Sequence, residues 1–125
     1  MGDGAASGLV GLVNTGASAY QAGHPQLGSQ AFGRYAQDLT AMSDRIGRSG
    51  EIPTDVKKAI QTRIQDAQAG LRTALDDSVI TPGERTDLVR DAQKLGGTAD
   101  AIVAAQKASP NAPVPADTYR AIVRQ

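Results

Sequence analysis

The sequence predicts an all-α fold: a small helical bundle or helical hairpin of four or five helices, with a Gly/Ala-rich N-terminal arm. Apolar residues recur at steps of three and four through the centre of the chain, and no segment shows the alternation of a β-strand. The 125 residues suit a single core, but only 3% of them are aromatic. Such a core is thin, so we expect partners or self-association to add to its stability.

The arm comprises residues 1–25, and residues 4–33 contain no Lys, Arg, Asp or Glu. A Gly-rich segment loses much conformational entropy on folding, so we expect disorder unless something holds the arm. Its small residues would let a helix approach another backbone closely. A neighbouring subunit, a lipid-like surface or the chain's own helices could each hold it.

Residues 26–108 are predicted to form the helical body, and its first two helices each carry an apolar stripe. The stripes are Phe32, Tyr35, Leu39, Met42 and Ile46 in the first helix, and Val56, Ile60, Ile64, Ala67, Leu71 and Leu75 in the second. This spacing places each set on one helix face. We expect residues 54–76 to form the longest helix and to pair antiparallel with the first.

The third helix has a defined start, because Thr81, Pro82 and Glu84 match a capping box with proline at the first helical position. Residues 77–84 also resemble the outgoing half of an EF-hand loop, with Asp77 at the fifth position of the loop and Glu84 at the twelfth. The incoming half would place Thr73 and Leu75 at the first and third ligand positions, which leaves too few oxygen ligands for Ca²⁺, so a helix-loop-helix turn is the favoured interpretation.

The end of the body is predicted from Gly and Pro. Gly96 and Gly97 should stop the third helix, and Thr98 should cap a fourth that ends near residue 108. Residues 109–125 are predicted as a Pro-rich linker followed by a short helix, because three prolines in residues 109–115 forbid a regular helix.

Charge and residue types exclude several classes of function. The 13 basic and 13 acidic side chains interleave, so we expect no sequence-specific nucleic acid binding. The chain has no Cys and a single imidazole, His24, which stands apart from any acid or nucleophile in the sequence. We therefore expect no catalytic residue, no cofactor and no metal, and a protein that is not an enzyme.

The Gly/Ala head at residues 4–22, with its interspersed Leu and Val, precedes a Gln- and Ala-rich helical body. This arrangement resembles the internal virion or ejection proteins of tailed bacteriophages, and also suits a head-associated protein. The resemblance implies a structural role, in which helical subunits pack inside the particle or at its portal and leave with the genome. It also implies a virion location, with the cytoplasm as the alternative.

We therefore expect a non-enzymatic helical assembly protein, either a homo-oligomer or one subunit among others. The predicted interface residues are Leu9, Val10, Leu12, Val13, Phe32, Tyr35, Leu39, Met42 and Ile46. The alternative is a small helical binding module or degenerate EF-hand-like adaptor. Membrane contact would involve the N-terminal arm, although the arm has no Lys or Arg to meet anionic headgroups.

Overall fold

A computed structural model describes residues 4–76 and 79–125 of the chain. These two ranges contain five helices and no strand, which confirms the predicted all-α bundle. The helices are α1 (Ala5–Gln21), α2 (Pro25–Arg48), α3 (Thr54–Asp76), α4 (Pro82–Ala108) and α5 (Ala116–Arg124).

The uncharged arm folds as α1, and its contacts with α4 and α2 are the most extensive between any two helices of the bundle. Leu9, Val13 and Ala17 lie on its buried face. The sequence predicts that the arm is disordered unless something packs against it. In the structure, helices of the same chain pack against it. The apolar area that α1 buries offsets the entropy that its glycines lose on folding.

Two glycines set the close approach of α1 and α2. A Cβ atom built on Gly16 would lie 2.8 Å from the ring of Phe32, and one built on Gly28 would lie 2.5 Å from the ring of Tyr20. Both rings therefore occupy space that a side chain would otherwise fill. The prediction that small residues allow a close helix approach applies within this chain.

A Schellman motif forms the turn between α1 and α2. Gly23 has a φ of 83°, the left-handed conformation that glycine adopts without strain. The backbone N–H of His24 donates to the carbonyl of Ala19 at 2.8 Å, and that of Gly23 donates to Tyr20 at 3.2 Å. Pro25 then begins α2, so both sides of the turn have defined geometry.

The helices α2 and α3 pack against each other, and the apolar stripes of both are buried apart from the partly buried Leu75. The predicted bounds of α3 match the structure. The prediction that it is the longest helix is wrong, because α4 has 27 residues and α3 has 23.

The predicted break between a third and a fourth helix of the body is also wrong, which is why α4 is so long. Gly96 and Gly97 do not end a helix, and Thr98 does not cap a new one, because α4 runs unbroken through all three. A Cβ on Gly96 would lie 2.2 Å from the Cα of Ala6, so α1 crosses α4 against bare backbone at this point. Packing against α1 thus outweighs the low helix propensity of the glycine pair.

The C-terminal region closes one side of the bundle. Residues 109–115 are non-helical, as their prolines predict, but Val114 among them is buried. The following helix α5 packs on α3 and α4 and buries Tyr119, Ile122 and Val123. Within the described ranges, no helix has both the length and the apolar character needed to cross a membrane.

Candidate functional site: an apolar cleft

A cleft of about 280 Å³ opens where the first residue of α1 meets the last turns of α2 and the C-terminal half of α4. We call it the apolar cleft. Six apolar residues form most of its wall: Met42, Ile46, Ile52, Ala99, Ile102 and Val103. The rest of the lining consists of Ala5, Arg45, Ser49, Asp100 and Gln106. Most of this wall is buried, but Val103 keeps 44% of its surface exposed at the mouth.

Asp100 positions the α1 edge of the cleft. Its carboxylate oxygens accept hydrogen bonds from the backbone N–H groups of Ala5 at 2.7 Å and Ala6 at 3.2 Å. The first N–H groups of a helix have no partner inside that helix, and the N-cap residue Gly4 has no side chain to accept from them, so the carboxylate of α4 takes that role. Gly4 leaves room for this contact, because a Cβ there would meet the Asp100 carboxylate at 2.4 Å.

The polar side chains that line the cleft differ in whether they already form hydrogen bonds or ion pairs within the chain. The Asp100 carboxylate is held by α1, and the Gln106 side chain donates to the hydroxyl of Tyr119 at 3.3 Å. Arg45 is exposed, and no carboxylate of residues 4–76 or 79–125 lies within ion-pair distance of its guanidinium. The cleft therefore combines an apolar wall with one cationic group at its edge.

This arrangement suits the binding of an apolar group. The volume lies just below the roughly 300–1,000 Å³ found for pockets that hold drug-sized ligands. An apolar side chain that enters would be removed from water against the apolar wall. The cleft is thus suited to one or two apolar side chains of a protein partner.

A separate polar crevice lies between α3 and α4, lined by Arg63, Asp66, Asp91, Lys94 and Leu95. Partial burial raises the pKa of the Asp91 carboxyl. The negative charges of Asp87 and Asp66 act in the same direction, while Arg90 and Lys94 oppose them. The side chain of Arg63 also donates to the backbone carbonyl of Val123, which ties α3 to α5. We assign this crevice a structural role, because its charges balance within the chain.

The nine predicted interface residues lie in or against the core of the single chain. Seven are buried, and Val10 and Leu12 are partly buried against them. Of the nine, only Met42 and Ile46 line the apolar cleft. Apart from the part of the cleft wall that Met42 and Ile46 form, the stripes predicted to be completed by neighbouring subunits are covered by the chain's own helices.

Sequence reasoning missed the α4 side of the cleft. Ile102 and Val103 were assigned to a separate helix beyond the supposed break at Gly96 and Gly97, so nothing related them to α2. The two adjacent apolar residues, one facing inward and one outward on a continuous helix, were the available signal. No sequence pattern marked Arg45 as a cleft residue, because its place at the cleft depends on α1 and α4 packing beside α2.

The predicted capping box is present at the start of α4. The N–H of Glu84 donates to the hydroxyl of Thr81 at 3.1 Å, and the Glu84 carboxylate accepts from the N–H of Thr81 at 3.0 Å. Asp77, the other acid at a ligand position of the EF-hand-like segment, lies outside the described residues. Among those that are described, no three His, Cys, Asp or Glu side chains form a group able to hold a metal ion. His24 lies exposed in the turn between α1 and α2.

Comparison with known proteins yields no relative from which a site could be transferred. No protein-family description, no curated protein and no solved structure matches the chain.

Proposed function

We propose that the chain is a non-enzymatic helical assembly protein that binds neighbouring protein subunits through the apolar cleft. The observation that carries the proposal is the cleft itself, with Val103 exposed at its mouth and Arg45 at its edge. Large apolar side chains exposed beside a concave apolar surface are typical of contact sites between proteins.

The fold supports a structural role for the subunit. The five helices of the described residues enclose one core, and side chains of α4 hold α1 at both ends. Asp100 caps the start of α1, and the Arg85 guanidinium donates to Gln21 at 3.0 Å and to Asn14 at 3.2 Å near its end. A subunit held in this way presents its surface in a fixed geometry, which lowers the entropic cost of association.

The resemblance to virion proteins extends the proposal to a setting. The Gly/Ala head at residues 4–22 and the Gln- and Ala-rich body support a component of a tailed-bacteriophage particle, internal, ejected or head-associated. Mass spectrometry of particles purified from the system that encodes the chain tests this assignment. Stoichiometric amounts are expected, and a chain found only in the soluble fraction would contradict the virion assignment.

A second candidate function is a helical binding module that acts as a monomer. The volume of the cleft favours it, because a short apolar segment of another protein would fit as well as a neighbouring subunit. The EF-hand-like version has less support, since the Glu84 carboxylate is used by the capping box.

Static light scattering over a concentration series tests the assembly function. We expect the mass-average of the wild-type chain to rise with concentration, and Val103→Lys to shift the association at least tenfold towards higher concentration. The new ammonium would face Arg45 and place a charge in an apolar contact.

Ala104→Lys is the matched control, because it adds the same charge one residue along α4 at an exposed position that does not line the cleft. This variant should associate like wild type. A wild-type chain that stays monomeric at millimolar concentration, or an equal effect of both substitutions, would remove the support for assembly through the cleft. A monomer would favour the binding module instead.

A further inference from the structure

A pair of glycines, Gly96 and Gly97, occupies the middle of α4. Glycine has a low helix propensity and a wide choice of backbone conformations, and pairs of small residues are a common site of helix kinks. Nevertheless, α4 is continuous from Pro82 to Ala108. Contacts outside the local sequence therefore keep the two parts of α4 together.

Helix α1 lies across the glycine pair and contacts α4 on both sides of it. Before the pair, the Arg85 guanidinium donates to the side chain of Gln21 at 3.0 Å. At the pair, the backbone of Ala6 lies where a side chain on Gly96 would be. After the pair, the Asp100 carboxylate accepts hydrogen bonds from the first N–H groups of α1. Helix α1 thus bridges the two parts of α4.

The part of α4 that follows the pair has few other anchors. Within residues 98–108, Ile102 is the only large apolar side chain that is buried, and Gln106 donates to the hydroxyl of Tyr119 in α5 at 3.3 Å. By comparison, residues 82–95 bury two leucines and an alanine. A helix shorter than roughly 12–15 residues is marginal in water, so the part after the pair depends on its neighbours.

The same part of α4 forms one wall of the apolar cleft. Every residue that α4 contributes to the lining, from Ala99 to Gln106, follows the glycine pair. The facing wall, with Met42 and Ile46, belongs to α2, and Ala5 of α1 adds to the lining. A bend at the pair would therefore move one wall relative to the other and change the width of the cleft.

We infer that α4 has a hinge at Gly96 and Gly97 and that the docked start of α1 holds this hinge in one position. With Asp100 bound to α1, residues 98–108 keep their place and the cleft keeps its shape. When the start of α1 detaches, the glycines let α4 bend and its cleft wall moves. The inference concerns the single chain and does not depend on what the cleft binds.

Spin labels test the hinge, and the chain suits them because it has no cysteine. The test pair joins Gln37→Cys on α2 to Ala104→Cys, after the glycines, and the control pair joins Gln37→Cys to Gln93→Cys, before them. All three positions are exposed. Double electron–electron resonance measures the distance distribution of each pair, in a large excess of unlabelled chain so that distances between copies do not contribute. In Asp100→Ala, we expect the test distribution to become at least twofold wider and the control distribution to stay unchanged.

A second substitution places the hinge at the glycine pair. Gly97→Ala restricts the backbone there, and a Cβ atom at this position would meet nothing within 4 Å. Added to Asp100→Ala, it should narrow the test distribution back towards the wild-type width. Gly70→Ala is the matched control, because it makes the same change at an exposed position of α3, where a Cβ atom would lie an ordinary 3.9 Å from the Asp91 carboxylate. It should leave the test distribution wide.

Three results would each overturn the inference. A test distribution that stays narrow in Asp100→Ala would mean that the start of α1 does not control the far part of α4. Equal widening of both distributions would mean that the bundle loosens as a whole. If Gly97→Ala restores the width no better than Gly70→Ala, the bend does not lie at the glycine pair. None of these results depends on association, so a wild-type chain that stays monomeric contradicts the assembly function alone.

Discussion

Two tyrosines show how much one hydroxyl group matters in this core. Tyr35 and Tyr119 are both fully buried. The hydroxyl of Tyr119 donates to Glu51 and accepts from Gln106, each at 3.3 Å. The hydroxyl of Tyr35 has no hydrogen-bond partner in residues 4–76 and 79–125, and burial, with a smaller effect of the Asp91 charge, raises its pKa above the ordinary value.

Substitution of each tyrosine by phenylalanine should therefore have opposite effects on stability. Tyr35→Phe removes a buried hydroxyl that has no partner, so we expect the free energy of unfolding to rise by about 1 kcal/mol. Tyr119→Phe removes two hydrogen bonds from a buried hydroxyl and takes away the partner of the partly buried Gln106 amide, so we expect a loss of about 1 kcal/mol. Urea unfolding followed by circular dichroism measures both. Equal losses in the two variants would mean that the Tyr35 hydroxyl is satisfied.

The sequence could place Tyr35 in the core but not describe the surroundings of its hydroxyl. Its position in the apolar stripe of α2 predicts burial, which the structure confirms. The nearby carboxylate of Asp91 comes from α4, and nothing in local spacing relates the two residues. The same holds for Arg45 at the cleft, whose surroundings come from α1 and α4 as well as α2.

At the scale of helices, local signals predicted the start of α4 correctly but placed a false end inside it. The capping box at Thr81 and the proline that follows it act through neighbours in sequence, so this start could be predicted from the sequence. Gly96 and Gly97 carry an equally strong local signal for an end, but that signal was misleading. The packing of α1 on Gly96 decided the outcome, and it depends on residues 90 positions away.

The two neighbouring glycines of α4 provide a test of this account. Gly96→Ala would place a Cβ 2.2 Å from the Cα of Ala6, a backbone atom that can move only with α1, so we expect a loss of about 3 kcal/mol. At Gly97, a Cβ would meet nothing within 4 Å, so Gly97→Ala should stabilise α4 by about 0.5–1 kcal/mol. Thermal unfolding of the two variants gives the comparison. Stabilisation by both would show that α1 does not rest on Gly96.

On the scale of the whole molecule, the all-α class and the α2–α3 pair were predicted from periodicity, and the place of α1 was not. An uncharged Gly/Ala segment carries too weak a pattern to distinguish docking on the chain itself from docking on a partner. The structure shows the first of these, with α1 between α2 and α4. The apolar cleft could not be predicted for the same reason, because one of its edges is the start of α1.

Removal of α1 tests whether the bundle depends on it. A chain shortened to residues 26–125 would lose Leu9, Val13 and Ala17 and would expose the faces of α2 and α4 that they cover. Because the core has few aromatic side chains, we expect the remaining helices to lose cooperative unfolding and to bind a hydrophobic dye such as ANS. Helical signal in the far ultraviolet should persist in part, while the near-ultraviolet signal of the tyrosines should collapse.

The control for that deletion leaves α1 in place but weakens its attachment. Asp100→Ala removes the carboxylate that caps α1, and we expect it to cost about 1 kcal/mol without loss of cooperativity. The two results together would show that α1 is a core helix whose start is fastened by one side chain. A shortened chain that unfolds in a single sharp transition at an unchanged temperature would instead make α1 an attachment to an independent bundle of α2 to α5. The apolar cleft would then be an edge created when α1 docks, and association through it would require α1 to stay bound.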